Sequence, residues 1–220
     1  MKYGKNLAAP REARLFEGQR LLVRRIVGKR LIATWIEGDY VTSQLLQIVK
    51  PIDEKNAKYL LGILNSSMIA FYFKKKYNRL DKTFPEIRVY ELENMPIMAT
   101  DNQKPMIDLV DNILTYNSDF QKLSTRFIKL LQSSFLSLTI NNKVDTWYEM
   151  SFGEFRKELS KQKIAIPVKE LMDYQELFDT NATQIKEIQT KIINTDKAID
   201  KLVYTLYDLT SEEIQIIENQ

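Results

Sequence analysis

Cysteine and histidine are both absent from the 220 residues. Without cysteine there is no disulfide, no thiolate nucleophile and no Cys-based zinc site. Without histidine the chain lacks the commonest general base and the commonest transition-metal ligand. Glycine and proline are scarce, six of each. No apolar run reaches the roughly 20 residues that a membrane span requires, and the Met1 region has no apolar signal-peptide core. The composition reads as that of a cytoplasmic chain away from membranes. A free-standing enzyme is the weakest of the functions it allows.

What is present is a charge split. Residues 1–100 hold 18 Lys+Arg against 10 Asp+Glu, a balance of +8, while residues 101–220 hold 14 against 19, a balance of −5. A basic half joined to an acidic half points to a polyanion partner for the first half only.

Hydropathy patterning gives the order of elements. Arg20–Val27 and Arg30–Ile36 read as strands flanking a tight turn at Gly28-Lys29. Tyr40–Val49 follows after Glu37-Gly38-Asp39, so a meander of two or three antiparallel strands is expected. Asn56–Tyr77 reads as one strong helix whose basic last turn, Lys74-Lys75-Lys76, complements the helix dipole. Ile87–Leu92 is a further candidate strand. From Pro105 the pattern changes: Met106, Leu109, Ile113, Tyr116, Phe120, Leu123, Phe127 and Leu130 form a seven-residue repeat. A second repeat runs through Ile185, Ile188, Ile192, Thr195, Ile199, Leu202, Leu206 and Leu209. These predict two helices of about 25–30 residues, roughly 40 Å long, pairing antiparallel. Between them, Ser151 and Glu154 sit at capping-box spacing, and Pro167 opens a helix with Val168, Leu171, Met172 and Phe178 on one face. Thr210 and Glu213 repeat the box spacing near the C-terminus. The expected class is α+β: a small mixed α/β domain at 1–98, then a long antiparallel, coiled-coil-like helical hairpin with a helical insert at 99–220.

Five segments, in order, resemble one family. They are "LLVRRI" (Leu21–Ile26), "YLLGILNSSMIAFYF" (Tyr59–Phe73), "ELENMPI" (Glu91–Ile97), "FGEFRKELSKQKIAI" (Phe152–Ile166) and "IDKLVYTLYDLTSEEIQIIE" (Ile199–Glu218). Together they resemble the TaqI-like C-terminal specificity domain, the target-recognition part of type IIG restriction–modification enzymes and adenine-specific DNA methyltransferases. The resemblance implies double-stranded DNA as partner and a catalytic methyltransferase region elsewhere in a parent chain. S-adenosylmethionine, and magnesium for a nuclease, are implied for that parent and not for this fragment. The chain has neither a glycine motif for that cofactor nor a Pro-Pro pair of the kind found in a base-gripping catalytic loop. Glu86-Ile-Arg88 and Glu91-Leu-Glu93 are its nearest approach to a nuclease carboxylate cluster. The opening "MKYGKNLAAPREAR" resembles entry partway through the recognition domain.

DNA recognition needs cations for phosphates and side chains that pair with base edges. The candidate contacts are Arg24, Arg25, Lys29 and Arg30, followed by Lys74, Lys75, Lys76 and Arg79. Arg24 and Arg25 alternate along a strand, so only one of them lies on a given face. The alternative for this pair is a solvated face or an ion pair with Glu12 or Glu17. Trp35, Tyr40, Phe71, Tyr72 and Phe73 are core residues at their spacing rather than stacking platforms. Two rivals stand beside the recognition module: half of a type I specificity subunit, and a helical protein-interaction scaffold without DNA.

Overall fold

The computed structural model describes residues 11–53, 56–77 and 85–219. Three short strands, β1 (Arg20–Arg24), β2 (Ala33–Ile36) and β3 (Leu46–Val49), form an antiparallel sheet in the order β2-β1-β3. This departs from a simple meander, which would place β2 in the middle. β1 is the central strand and is buried along Arg20–Val23. It pairs Leu22 with Thr34 on one side and with Ile48 on the other.

Helices follow: α1 (Ala57–Leu64), α2 (Ser67–Tyr77), α3 (Val89–Glu93), α4 (Lys104–Ser134), α5 (Asn142–Asp145), α6 (Phe152–Lys161), α7 (Leu171–Leu206) and α8 (Ser211–Glu218). The expected strand at Ile87–Leu92 is instead α3, whose first turn is closed by the Arg88 N–H donating to the Glu91 carboxylate at 2.7 Å. Only a single bridge, Ile26 to Glu86, is strand-like there.

The expected continuous helix over Asn56–Tyr77 is broken at Asn65-Ser66. One tertiary and one local contact hold the chain at the break. The Asn65 side chain bonds both backbone groups of Ala33, and the Ser66 hydroxyl donates to Ile63 O at 2.7 Å. Gly62 in α1 lets Met106 and Val110 approach. A Cβ at that position would stand 2.4 Å from the Met106 sulfur, closer than any side chain tolerates.

The chain forms two compact units. Unit 1 comprises residues 1–111 and 196–220, and unit 2 comprises residues 112–195. Helices α4 and α7, of 31 and 36 residues, each contribute to both. Within unit 2 they run antiparallel. Tyr116 meets Lys191 at 5.8 Å and, further along α4, Phe127 meets Phe178 at 6.0 Å between centroids. The contacts advance along one helix as they retreat along the other.

Leu130 departs from the seven-residue stripe. It is 38% exposed while Leu131 is fully buried, because a straight helix drifts away from a 3.5-residue repeat. Unit 2 is held by an aromatic cluster around Trp147, which is fully buried between Phe127 and Phe178 at 3.9 and 5.3 Å. Pro167 precedes a short 3-10 turn, Val168–Glu170, and α7 begins at Leu171 as one continuous helix. Of the face expected after Pro167, Phe178 is buried, but Val168 and Met172 are 87% and 82% exposed. Both expected capping boxes form, at Ser151/Glu154 and at Thr210/Glu213.

Candidate nucleic-acid interface

The described basic residues of unit 1 fall into two groups, those whose charged groups the fold engages through hydrogen bonds, ion pairs or aromatic rings and those without an ionic partner among the described residues. Arg20 belongs to the first. Its guanidinium is buried at the start of β1 and donates to the carbonyls of Gly18, Gly38 and Tyr40, each at 2.7 Å. It staples two turns. Gly38, at φ 101°, occupies a left-handed conformation that suits glycine.

The connection from β1 to β2 is anchored along its length and is not a two-residue turn. The Arg24 N–H donates to Ile32 O at 2.8 Å, and the Ile87 N–H donates to Arg25 O at 2.9 Å. The Val27 N–H donates to Pro85 O at 2.8 Å. Leu31 is buried, leaving Gly28 and Lys29 exposed.

Arg24 is exposed at the end of β1. Arg25, half-buried, pairs with Glu86 at 2.9 Å. Neither Glu12 nor Glu17 is its partner. Arg30 splits its guanidinium between Asp196 and Asp200, at 2.8 and 2.9 Å. Asp200 is buried and also accepts from the Ser67 N–H at 2.7 Å and the Ser67 hydroxyl at 2.8 Å. It thereby satisfies a free donor at the first turn of α2. Burial pushes the Asp196 carboxyl above the usual aspartate range, with Arg30 opposing and Asp200 reinforcing the shift. Tyr207 ties the C-terminal segment to the same half: its hydroxyl accepts from the Met98 N–H at 3.0 Å and donates to Pro96 O.

In the last turn of α2, Lys75 lies over Phe71 at 5.7 Å and Lys76 over Tyr72 at 5.0 Å. The hydrogen bond to Tyr72 raises the Lys76 pKa. Lys74 has no ionic partner among the described residues. Arg79 lies outside the described residues. Of the aromatics expected in the core, Phe73 is buried; Trp35, Phe71 and Tyr72 are half-buried, and Tyr40 is 61% exposed. Glu86 and Glu91, weighed as nuclease carboxylates, are occupied by Arg25 and by the α3 cap.

Lys29 and Lys74 border a groove of about 1190 Å³ within unit 1. The connection Val27–Leu31, α2, the end of α7 and α8 form its walls. Lys197 and Lys201, on α7, complete a set of four lysines around it. Sequence reasoning passed over these two, because they sit in a helix read as spacer. The groove does not fit S-adenosylmethionine or magnesium. Both are cationic, whereas its lining carries four lysines and its buried carboxylate, Asp200, is committed to Arg30 and Ser67. Among the described residues no helix is long and apolar enough to cross a membrane.

Comparison with known proteins divides the chain by sequence, at a different point from the two compact units. Residues 1–97 match the family model described as the TaqI-like C-terminal specificity domain, and residues 99–203 match a domain of unknown function, DUF8810. A Methanocaldococcus jannaschii protein described as a "putative type II restriction enzyme and methyltransferase" is 33% identical over 90 residues. The similarity covers 39% of this chain and 8% of that protein. No solved structure matches. The similarity to the TaqI-like C-terminal specificity domain thus falls on residues 1–97, and the match to a domain of unknown function falls on residues 99–203.

Proposed function

We propose that the chain is the sequence-specific DNA-recognition module of a type IIG-like restriction–modification protein acting in the cytoplasm. It holds DNA for an adenine-N6 methyltransferase, and for a nuclease where the parent has one, in the remainder of the parent protein. S-adenosylmethionine and magnesium belong to that catalytic region. The observation that carries the reading is the specificity-domain match, which falls on the basic half of the chain. Arg24 and Lys29 are exposed there, so their charges remain available for phosphate or base edges. The α/β part follows the major groove, and the paired helices act as spacer and docking surface for the catalytic region.

Fluorescence anisotropy of the 220-residue chain with a random-sequence duplex across a salt series tests this. Affinity should fall steeply with salt, as counterion release from several phosphate contacts requires. Charge reversal at Arg24→Glu and Lys29→Glu should weaken binding and flatten the slope. Unchanged affinity in that variant would place the DNA surface elsewhere.

A further inference from the structure

We infer that the last turns of α7 belong to the DNA-contacting surface, with Lys197 and Lys201 joining Lys29 and Lys74 to hold the phosphodiester backbone of one strand along the groove. The inference rests on the recognition reading above and gives a role to a helix in the segment of unknown function.

Charge accounting supports it. The four lysines come from three separate elements and converge on one groove, and none has an ionic partner among the described residues. The groove's other cation, Arg30, and its buried acid, Asp200, neutralise each other. Glu218 is the remaining carboxylate in the lining. The groove is therefore net positive. Its apolar lining, including Phe71, Leu31 and Ile217, concentrates the field of the lysines along it.

Side-chain geometry selects the occupant. Lys197 and Lys201 are one helical turn apart and share a face of α7. A carboxylate ligand is best gripped by an arginine fork. The arginine fork of this lining is already filled by Asp196 and Asp200. What remains is a row of flexible point charges, which suits a chain of singly charged phosphates read without sequence preference.

The test compares Lys197→Gln/Lys201→Gln with the unsubstituted chain in the same anisotropy series. A control pair, Lys129→Gln/Lys186→Gln, removes equal charge from unit 2. Both residues of the test pair are exposed, so the urea midpoint should not move and lost binding cannot be blamed on unfolding. The slope of log K against log salt should fall by about 2, and low-salt affinity by about tenfold per lysine. The control pair should change neither as much. An unchanged slope in the test pair, with a reduced one for Lys29→Gln/Lys74→Gln, overturns this inference and leaves the recognition reading intact. An equal loss in the control pair also overturns it, as a bulk-charge effect. Binding of a polyglutamate peptide that needs Lys197 and Lys201, with duplex binding unaffected, would identify an acidic protein segment as the occupant instead. A chain with no salt-dependent duplex binding overturns both readings.

Discussion

Asn65 and Ala33 exchange two hydrogen bonds: the Asn65 amide accepts from the Ala33 N–H at 2.8 Å and donates to its carbonyl at 3.0 Å. Ile32 bonds to Arg24 across the strand pair, so Ala33 turns its polar groups toward the edge that β1 leaves free. One side chain thus completes an edge strand and stops a helix.

Replacing Asn65 with Ala leaves the buried backbone groups of Ala33 without these partners. The loss expected is about 2–3 kcal/mol of stability, measured as the urea-unfolding free energy. Asn65→Asp should do no better, since its carboxylate would face the Ala33 carbonyl. A variant as stable as the parent chain would show that water replaces the amide at no cost.

Phe178 touches Phe127, Trp147, Phe152 and Phe155. Truncation to Ala should cost unit 2 about 3–5 kcal/mol, the range for large aromatic side chains removed from cores. The two tryptophans report separately, Trp35 in unit 1 and Trp147 in unit 2. Unfolding followed by Trp147 emission in a Trp35→Phe background should register the full loss. A change under about 1 kcal/mol would mean that the site collapses around the gap.

The capping box at the start of α6 is pH-dependent. Backbone and side-chain hydrogen bonds from Ser151 hold the Glu154 carboxyl below the usual glutamate range. A depressed carboxylate stabilises the fold above its unfolded pKa, and the benefit is lost as pH falls through the folded value. The Tm advantage of the parent chain over Glu154→Gln should therefore be present at about pH 7 and gone near about pH 3. A constant difference across that window would remove the carboxylate's ionisation as its source.

These relationships divide according to what a sequence can reveal. Ser151 with Glu154, and Thr210 with Glu213, lie three residues apart, so their boxes are readable as local spacing. The long helices are readable because their apolar stripes repeat many times over. The break at Asn65 is harder to read, because Asn and Ser disfavour a helix interior only weakly and the long-range partners of Asn65 and Ser67 are Ala33 and Asp200. Arg30 illustrates the same limit for the site. In sequence it is one cation in a basic run; in the fold its charge is spent on carboxylates 166 and 170 residues away. Lys197 and Lys201 gain significance only from what the fold places opposite them.

The tie between Arg30, Ser67 and Asp200 also sets an order in time. Synthesis proceeds from the N-terminus, and domains fold as their residues emerge. Residues 112–195 are all made before Asp196 and Asp200 exist, so unit 2 can close first. Residues 1–97 must meanwhile wait with Arg30 unpaired and the first turn of α2 uncapped. A nascent chain stalled before residue 196 would carry every residue of the specificity-domain match and still lack the carboxylates that lock its β1–β2 connection to α2.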